Sequence, residues 1–483
     1  MLNKEGLFMK FSEIYNFDNK NIKDFDVTGI FCDSRKVTKD SVFVCIVGSA
    51  MDGHDFAKSA YENGAGVIIC ERDLGLPNQI LVDDTKAVYS TLCAAYFGNP
   101  AKKLKLIGVT GTSGKTSVTY MTKSLLEKQG KKVGLIGTIQ NIIGDETLPA
   151  KNTTPDAYEL HSLFELMLKA GCEYVVMEVS SHALDQKRVY NLEFECAIFT
   201  NLTQDHLDYH KTIENYLAAK LKLFKMAKKA IVNVDDNYAN EVIAACDCPV
   251  ITFSAEKNEA DYTAKDIKFL PDSVCYELVT NCNIGRVKIS TPGIFSVYNS
   301  MAAGIAGIAV GIDFNDVVAG LCDVSTVKGR VELVPCDKDF TPVIDYAHTP
   351  DELENVCNMF NKIKKGRLVT LFGCGGDRDK TKRPIMGEIV AKLSDYVVVT
   401  SDNPRSEDPN AIIDDILVGM KGIKTPYKVI PNRAEAIEFA LKNAKKDDIV
   451  LFAGKGHETY QILATGTIHF DEREVIAKVL SEM

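Results

Sequence analysis

From Leu104 onward the chain alternates apolar, strand-like runs with stretches of helical periodicity. The runs read LKLIGVTG, KKVGLIG, CEYVVMEVS, CAIFTNL, KAIVNVDD and CPVITFS. Strands separated by helices pair in parallel, because each connecting helix crosses one face of the sheet. The pattern therefore predicts an α/β fold whose central part is a parallel sheet wound by helices.

The length of 483 residues suggests roughly three domains, at about 100–200 residues per domain. Residues 1–98 contain short apolar runs broken by Gly and Asp, which predict a small N-terminal α/β domain. After the turn-rich Gly98-Asn99-Pro100 we expect a central domain with a parallel sheet over residues 99–329, with a small antiparallel flap at 261–290. A second α/β series begins near residue 330, so residues 330–483 are predicted to form a Rossmann-like domain.

Charge and cysteine content limit the classes of function. The chain has 66 acidic and 56 basic side chains, a formal net charge of −10, which disfavours nucleic acid and anionic membranes as partners. Fourteen cysteines are scattered without a Cys-x-x-Cys pair or zinc spacing, a pattern typical of reduced thiols in a cytosol. The N-terminus lacks a signal-peptide pattern, and the longest apolar run, 301–312, is too short to span a bilayer. We expect a cytoplasmic protein that does not insert into membranes.

One segment, LKLIGVTGTSGKTSVTYMTKSLLEKQG, predicts a strand, a Gly-containing loop and an amphipathic helix in that order. Such a loop lets backbone N–H groups surround phosphate oxygens at the positive end of a helix. Lys115 would neutralise the β- and γ-phosphates, and Thr116 would offer its hydroxyl to Mg²⁺. Only two residues separate Gly111 from Gly114 where the usual P-loop has four, so an ordinary Gly-rich turn stays the alternative. The expected ATP-binding loop comprises Gly111, Thr112, Ser113, Gly114, Lys115, Thr116 and Ser117. The central domain, residues 99–329, is therefore predicted to be a P-loop-type ATPase domain with a parallel sheet.

Acidic and imidazole side chains that could serve magnesium follow two later runs. Glu178 ends the run YVVM, and open parallel sheets bind ligands at that end of their strands. Asp205, His206, Asp208 and His210 lie together in TNLTQDHLDYH. Two histidines four residues apart could also indicate zinc, but no thiolate or second His pair is patterned nearby. A Mg²⁺ ion bound by phosphate together with His206 or an aspartate fits the composition better.

The segment YLAAKLKLFKMAKK places five lysines on a predicted helix. A solvated basic face explains most of them. Lys220 lies between Ala219 and Leu221, which indicates that it is less exposed than the others.

Together these motifs resemble those of one family, the Mur ligases, which are ATP-dependent amino-acid ligases of peptidoglycan precursor synthesis. The similar segments cover essentially the whole chain in family order: GTSGKTS (111–117), NTTPD (152–156), MEVSSHALDQKRV (177–189), TNLTQDHLDYH (200–210), YNSMAA (298–303), KGRVE (328–332), DYAHTPDEL (345–353), GCGGDRDKTKRP (373–384), DNPRSEDP (402–409) and GKGHE (454–458). The short Gly-x-x-Gly-Lys-Thr loop is itself the form found in this family. DSRKV (33–37) and GSAMDGHDF (48–56) resemble the uridine-nucleotide-binding domain of the members that add a diamino acid.

The resemblance implies three groups of binding residues. The nucleotide contacts added to the phosphate loop are Asn299, Arg330 and Asp345. The contacts to UDP-N-acetylmuramoyl-L-alanyl-D-glutamate are Ser34, Ser49, Asn152, Thr153, Thr154, Ser180, Gln186 and Arg188. The contacts to the diamino acid are Arg383, Asp402, Asn403, Pro404, Arg405, Gly454 and Glu458.

The resemblance also implies a catalytic and metal-binding set. Lys115 would act on the transferred phosphoryl group, while Thr116, Glu178 and His206 would serve magnesium. Lys220 would carry a CO2-derived carbamate, which turns the ammonium cation into an anion able to bind a second Mg²⁺.

Arg405 follows the run YVVVTS in the segment Asp402-Asn403-Pro404-Arg405, and its planar fork suits a carboxylate. The resemblance implies that members with DNPR add meso-diaminopimelate, whereas lysine-adding relatives lack this arginine. L-Lysine has no distal carboxylate and would leave Arg405 unpaired. A surface ion pair is the alternative role for this arginine.

The implied reaction begins when ATP phosphorylates the D-glutamyl γ-carboxylate, and the amine of the diamino acid then displaces phosphate. Four alternatives stay open: the same ligase adding L-lysine, a ligase of a different Mur step, a ligase similar to folylpolyglutamate synthetase, and a P-loop regulatory protein without ligase activity. We expect a monomer.

Overall fold

The computed structural model describes residues 9–17, 22–48, 51–270, 272–324 and 327–483. The chain divides into two compact units by its internal contacts. The first comprises Met1–Thr110, Gly130–Ala197 and Ala219–Lys229, and the second comprises Gly111–Gln129, Ile198–Ala218 and Ala230–Met483.

The strands of the described residues are, in chain order, β1 (Ile30–Phe31), β2 (Ser41–Val44), β3 (Ala65–Cys70), β4 (Gln79–Leu81), β5 (Lys105–Thr110), β6 (Val133–Ile136), β7 (Gln140–Ile143), β8 (Glu146–Pro149), β9 (Tyr174–Glu178), β10 (Phe194–Phe199), β11 (Ala230–Asn233), β12 (Val250–Ser254), β13 (Tyr262–Phe269), β14 (Val274–Val279), β15 (Ile284–Ile289), β16 (Glu332–Leu333), β17 (Thr341–Asp345), β18 (Leu368–Phe372), β19 (Tyr396–Val399), β20 (Tyr427–Val429), β21 (Ile449–Ala453), β22 (Tyr460–Leu463) and β23 (Gly466–His469).

The α-helices of the same residues are α1 (Phe11–Ile14), α2 (Ala57–Glu62), α3 (Thr85–Tyr96), α4 (Lys115–Lys128), α5 (Ala157–Lys169), α6 (Ser181–Asp185), α7 (Leu207–His210), α8 (Ile213–Leu221), α9 (Ala239–Ala244), α10 (Ile294–Ala309), α11 (Phe314–Cys322), α12 (Pro350–Ile363), α13 (Lys382–Leu393), α14 (Pro409–Met420), α15 (Arg433–Lys442) and α16 (Glu472–Glu482). None of these helices is both long and apolar enough to cross a membrane.

The first unit contains a four-stranded parallel sheet in the order β1-β2-β3-β4. Alternate residues of its strands pack on opposite faces, because successive side chains of a strand point to opposite sides. Val42 and Val44 join the core that includes Leu92 of α3, whereas Phe43 joins a second core with Ala60 of α2. The predicted N-terminal α/β character is confirmed.

A second set of strands in the first unit runs in the order β10-β5-β9-β6-β7-β8. β9 pairs in parallel with both β5 and β6, in register from Tyr174 opposite Lys105 and Val133. All residues of β6 and β9 are buried, as expected for parallel strands covered on both faces. Glu178 is the last residue of β9, as the sequence predicts.

In the second unit, strands β11, β12 and β13 pair in parallel, and β13, β14 and β15 continue as an antiparallel meander. This meander spans the segment 261–290, so the expected antiparallel flap is confirmed. The buried Tyr276 of β14 contacts Ser300 of α10 through a 2.8 Å hydroxyl–hydroxyl hydrogen bond.

The second unit also contains a six-stranded sheet in the order β16-β17-β21-β18-β19-β20. The five strands from β17 to β20 in this order are parallel, and β16 is an antiparallel edge strand. Val397 and Leu451 pack into one core with α12, α13 and α14, whereas Val398 and Phe452 pack into another with α15 and α16. Both faces are therefore covered by helices, which confirms the predicted Rossmann-like architecture.

This topology places four loops at one edge of the six-stranded sheet, because the carboxyl ends of parallel strands meet there. The loops follow β17, β18, β19 and β21, and they carry the segments DYAHTP, GCGGDRD, TSDNPR and GKGHE.

Candidate functional site

The predicted phosphate loop starts directly after β5 and ends where α4 begins at Lys115. Gly111 has φ 149° and Gly114 has φ 82°, and a Cβ atom on them would lie 1.9 Å from Thr200 Oγ1 and 2.4 Å from Asn299 Oδ1. A side chain at either position would clash, and Gly114 also has a left-handed conformation that favours glycine. The loop is tied to one neighbour, since Asn201 accepts from the backbone N–H groups of Thr112 and Ser113, both at 2.9 Å.

Lys115 folds back over this loop. Its ammonium group donates to the carbonyl oxygens of Gly111 at 2.9 Å and Thr112 at 2.6 Å. The side chain of Thr116 is buried, and its Oγ1 accepts from Arg330 Nη2 at 3.3 Å. The structure therefore brings Arg330, predicted from a distant motif, to the start of α4.

A cavity of about 460 Å³ lies beside the loop within the second unit. Its lining includes six of the predicted nucleotide-binding residues: Ser113, Gly114, Ser117, Asn299, Arg330 and Asp345. The walls also contain Phe253, Ile294, Phe295 and Val356, which supply apolar surface. An apolar cavity with a few converging polar groups is the usual form of a small-molecule site.

Asp345, the last residue of β17, is buried and organises the segment that carries Arg330. Its carboxylate accepts from the backbone N–H of Val331 at 2.7 Å and of Ala347 at 2.8 Å. Burial raises the pKa of Asp345, and the nearby Arg330 opposes that shift. The Arg330 guanidinium lies 4.7 Å from the ring centre of Tyr346. These contacts fix Arg330 at the cavity wall.

Several cavity residues were not predicted from the sequence. Asp235 and Asp236 follow β11, and Tyr298 on α10 donates from its hydroxyl to Asp235 Oδ2 at 2.9 Å. Asp351 and Glu352 lie in the first turn of α12, which Thr349 caps. Burial, together with Glu352 and Glu354, raises the pKa of Asp351 to about 6. The cavity therefore offers hydroxyl-binding carboxylates as well as the cationic Arg330.

His206 and its neighbours form a charged cluster in the second unit. His206 has φ 55°, its backbone N–H donates to Asp205 Oδ1 at 2.9 Å, and its Nε2 lies 3.4 Å from Asp205 Oδ2. Lys382 Nζ lies 3.8 Å from Asp205 Oδ1. Burial acts to raise the pKa of Asp205, but the charges of His206 and Lys382 hold it below its ordinary value. Asp205 thus stays anionic beside His206, a role the sequence did not assign.

The two other members of this segment have surface or packing roles. Asp208 is exposed, and His210 is buried with its ring 5.2 Å from that of Tyr216. In the described part of the chain, no three His, Cys, Asp or Glu side chains are grouped so as to hold a metal ion.

Glu178 lies in the first unit with its side chain fully buried. Its Oε1 accepts from the backbone N–H of Thr138 and its Oε2 from the Thr138 hydroxyl, both at 2.9 Å. A Cβ atom on Gly137 would lie 2.5 Å from Glu178 Oε1, so glycine is needed for the carboxylate to fit. Hard oxygen donors of this kind suit Mg²⁺.

Lys220 is 1% exposed, whereas the other four lysines of its segment are exposed: Lys222, Lys225, Lys228 and Lys229. The predicted lower exposure of Lys220 is confirmed. A lysine is almost never fully buried without a compensating interaction, so this position is a strong candidate for a specialised role.

Most of the residues expected to bind the muramoyl-dipeptide come together in the first unit, next to Glu178. Thr154 Oγ1 donates to the carbonyl oxygen of Glu178 at 2.8 Å and accepts from the backbone N–H of Ser180 at 3.0 Å. Arg188 Nη1 donates to the carbonyl oxygen of Thr154 at 2.8 Å, and Arg188 Nη2 donates to Gln186 Oε1 at 2.7 Å. This group forms one connected polar surface.

The remaining members of that set lie at its margin or elsewhere. The Thr153 hydroxyl lies 3.0 Å from that of Thr138, and Asn152 is exposed. Ser34 starts the turn capped by Asp33, and its carbonyl oxygen accepts from Asn63 at 3.2 Å. Ser49 lies outside the described residues.

The residues expected to bind the diamino acid form a second polar network, at the carboxyl edge of the six-stranded sheet. Asn403 Nδ2 donates to Glu458 Oε2 at 2.9 Å, which joins the loop after β19 to the loop after β21. The fully buried Lys455 donates to the same Glu458 oxygen at 2.7 Å and to Asn403 Oδ1 at 3.1 Å. Lys455 was not predicted, although it lies within the quoted motif.

Arg405 is held in an uncommon conformation within this network. Its φ is 54°, its backbone N–H donates to the carbonyl oxygen of Ile462 at 3.0 Å, and Nη1 donates to that of Gly376 at 2.7 Å. Burial and the neighbouring Arg378 lower the pKa of Arg405, so the guanidinium lies where an added negative charge would be stabilising. Pro404 completes the turn, and its carbonyl oxygen would lie 1.9 Å from a Cβ atom on Gly376.

Arg383 differs from the others, because its guanidinium is already engaged by acidic partners. It is 1% exposed and donates to both carboxylate oxygens of Glu407, at 2.9 and 3.1 Å, and to Asp415 at 2.9 Å. A further bond to the carbonyl oxygen of Gly375 at 3.3 Å fixes the loop after β18. A direct contact between Arg383 and a ligand stays a prediction.

Comparison with known proteins places these features in one family. Three family models match: "Mur ligase family, catalytic domain" at residues 26–103, "Mur ligase middle domain" at 109–307 and "Mur ligase, glutamate ligase domain" at 329–456. The predicted domain boundaries at 98 and 329 stay predictions, since the compact units divide the chain differently.

Two curated relatives share nearly the full length of the chain. UDP-N-acetylmuramoyl-L-alanyl-D-glutamate--2,6-diaminopimelate ligase 1 of Clostridium acetobutylicum is 49% identical over 464 residues, 95% of either chain. The ligase of the same description from Caldanaerobacter subterraneus subsp. tengcongensis is 46% identical over 467 residues, 96% of either chain. A solved structure of a UDP-N-acetylmuramoyl-L-alanyl-D-glutamate--2,6-diaminopimelate ligase is 32% identical, with a TM-score of 0.72 and 99% of both chains covered. The chain belongs to the Mur ligase family of ATP-dependent ligases.

Proposed function

We propose that this protein joins meso-2,6-diaminopimelate to the D-glutamyl γ-carboxylate of UDP-N-acetylmuramoyl-L-alanyl-D-glutamate, at the expense of ATP. The observation that carries the proposal is the polar network at one sheet edge, in which Asn403 donates to Glu458 at 2.9 Å and the carbonyl oxygen of Asn403 accepts from Arg405 Nη1 at 3.4 Å. Two relatives of the chain, 49% and 46% identical to it, are named as 2,6-diaminopimelate ligases.

The two ends of this network suit the two charges of an amino-acid head group. Arg405 offers a planar fork that matches a carboxylate, and Glu458 offers a carboxylate that accepts from an ammonium group. A diamino acid with a distal amino-acid group supplies both partners at once. L-Lysine, the alternative acceptor, lacks the distal carboxylate. Sites built to bond a polar group can reject analogues without it by about 10⁴–10⁵.

ATP supplies the driving force, because a free carboxylate is a poor electrophile. The phosphate loop would hold ATP through its backbone N–H groups, and Lys115 would leave its carbonyl partners to offset charge on the transferred phosphoryl group. The γ-carboxylate oxygen attacks the γ-phosphorus to give an acyl phosphate and ADP. The acceptor amine then attacks the acyl carbon, forms the amide, loses a proton and releases phosphate.

The residues expected to serve magnesium fit that ion. Glu178 presents a buried carboxylate, Thr116 a hydroxyl and His206 an imidazole beside an anionic Asp205, and a carbamate on Lys220 would add oxygen donors. Bound magnesium would neutralise phosphate charge during transfer. Glu178 and His206 follow from their positions in the sequence as well as from the family resemblance, whereas the carbamate on Lys220 rests on the resemblance alone.

The muramoyl-dipeptide is assigned to the polar surface around Thr154, Ser180, Gln186 and Arg188. These side chains offer donors of the kind that bind carboxylates and amides, and they adjoin Glu178. Cytoplasmic location and a monomeric state accompany the proposal as expectations.

The test uses UDP-N-acetylmuramoyl-L-alanyl-D-glutamate in which both oxygens of the γ-carboxylate are ¹⁸O. Incubation with ATP, Mg²⁺ and meso-diaminopimelate should give a product of the mass of the tripeptide and inorganic phosphate containing one ¹⁸O atom. Unlabelled phosphate would contradict the acyl phosphate, and phosphate release without a tripeptide would contradict the ligase.

A further inference from the structure

The side chain of Arg433, the first residue of α15, is buried beneath the expected diamino-acid site. Arg433 is 1% exposed, and none of the predicted contacts includes it. Its Nε donates to Glu472 Oε1 at 2.8 Å, so the buried cation has an equally buried anionic partner. Nη2 also lies 2.8 Å from Glu472 Oε1, and Nη1 and Nη2 both bind backbone carbonyl groups.

These two nitrogens bind the exits of two strands. Nη1 donates to the carbonyl oxygen of Ser401 at 3.2 Å, just after β19, and Nη2 donates to that of Ala453 at 2.8 Å, the last residue of β21. The next residues along the chain are Asp402–Arg405 and Gly454–Glu458. One planar guanidinium therefore fixes the starting points of both loops that carry the expected diamino-acid contacts.

The space between these loops is tightly filled. A Cβ atom on Gly454 would lie 2.8 Å from Asp402 Oδ2, and Gly454 has φ 114°. Burial acts to raise the pKa of Asp402, but Lys455 and Arg433 hold it below the ordinary value. The loops thus meet over a cluster in which Asp402 and Glu472 balance Arg433 and Lys455. A shift of Arg433 would move both loops together.

We propose that Arg433 is a positioning residue for the acceptor site: it sets the distance between the loop of Asn403 and Arg405 and the loop of Glu458. The role rests on the proposed function. Asn403 and Glu458 form a hydrogen bond of 2.9 Å, so a small displacement of either strand end would disturb the geometry expected to bind the carboxylate and the ammonium group of the acceptor. Misplacement of a reacting group by about 1 Å can reduce the rate of the reaction by about 10²-fold.

The same sheet offers a matched control at its opposite edge. Arg367 precedes β18, and its Nη2 donates at 2.6 Å to Asp448, which precedes β21. This pair also joins an arginine to a buried carboxylate in the same sheet, here between β18 and β21. It lies at the amino ends of the strands, away from the four loops. Substituting it tests the effect of losing such an ion pair without moving the acceptor loops.

The experiment compares Arg433→Lys with Arg367→Lys. Lysine keeps the charge but cannot bind Glu472 and two carbonyl groups in one plane. For Arg433→Lys we expect kcat/KM for meso-diaminopimelate to fall by about 10- to 100-fold, with the KM values for ATP and the UDP-dipeptide within about twofold. The preference for meso-diaminopimelate over L-lysine should fall too. Arg367→Lys should lower the melting temperature and leave these constants unchanged.

Other outcomes would overturn the proposal. An equal loss of kcat/KM for all three substrates in both variants would show that Arg433 has a purely structural role. An unchanged preference for meso-diaminopimelate over L-lysine in Arg433→Lys would show the same. If Arg433→Lys does not fold, Glu472→Gln, which keeps the acceptor for Nε, should show the same selective change at about threefold or more, and its absence would overturn the role. Wild-type protein without diaminopimelate-dependent product would instead refute the proposed function.

Discussion

The ammonium group of the buried Lys455 lies 2.7 Å from Oε2 of Glu458, and the same oxygen accepts from Asn403. The carboxylate expected to receive the substrate ammonium is therefore oriented before any substrate binds. A preoriented acceptor loses little freedom on binding, which favours affinity.

Glu458→Gln should weaken the acceptor interaction selectively. The amide keeps the shape but not the charge, and a hydrogen bond to a charged group contributes about 1.5–3 kcal/mol. We expect the KM for meso-diaminopimelate to rise by about 10- to 100-fold in steady-state assays, with the KM for ATP unchanged. Glu474→Gln, at an exposed position that pairs with His469, is the control and should behave as wild type. Equal effects of the two substitutions would contradict this role.

Arg405→Met should remove the partner of the distal carboxylate. We expect kcat/KM for meso-diaminopimelate to fall by about 10²-fold or more, and that for L-lysine to change little, because lysine has no such carboxylate. Arg405→Lys keeps the charge without the planar fork, so its kcat/KM for meso-diaminopimelate should lie between the values of Arg405→Met and the wild type. Competition assays with both acceptors check the prediction, and a proportional loss for both would refute it.

Gly114→Ala should weaken nucleotide binding at the phosphate loop. The new Cβ would lie 2.4 Å from Asn299 Oδ1, at a backbone φ of 82°. Gly422 has the same φ with nothing within 4 Å, so Gly422→Ala carries the backbone strain alone, about 1–2 kcal/mol. Calorimetric titration with ADP should show at least about tenfold weaker binding only for Gly114→Ala. Similar ADP affinities in both variants would argue against this loop as the phosphate site.

Asp351→Asn should stabilise the protein at alkaline pH. Burial, with Glu352 and Glu354, raises the pKa of Asp351 to about 6 in the folded state, above its ordinary value of 3.8. The folded state therefore binds this proton more tightly, and wild-type stability is lost as pH rises from about 4 to about 6. We expect the asparagine variant to gain about 1–2 kcal/mol at pH 8 and nothing at pH 4, by chemical denaturation. A gain that is independent of pH would contradict the shift.

The sequence predicts the α/β layers, the strand-end position of Glu178 and the low exposure of Lys220, because each follows from local hydrophobic pattern. It also indicates Arg405 and Glu458 through motifs. Asp235 and Asp236 were missed, although they end the run KAIVNVDD just as Glu178 ends its own strand. The strand-end argument applied to Glu178 would have found them.

Other parts of the site depend on pairings that no local pattern encodes. The sequence indicates Arg383 as a ligand contact, but only the folded chain reveals that Glu407 and Asp415 surround it. Arg433 looks like an ordinary helix residue in PNRAEAI, and its three partners come from three separate elements. Such roles arise from tertiary contacts, which depend on the strand order of the sheet.

The most direct test of the central claim is the acceptor preference of the wild-type enzyme. Purified protein with ATP, Mg²⁺ and the UDP-dipeptide receives meso-diaminopimelate, L-lysine or no acceptor, and phosphate and product mass are followed together. The account predicts tripeptide with meso-diaminopimelate and a kcat/KM for lysine lower by about 10⁴-fold. Comparable ligation of lysine would contradict the specificity assigned to Arg405, and phosphate release that is the same with every acceptor and with none would contradict the ligase itself.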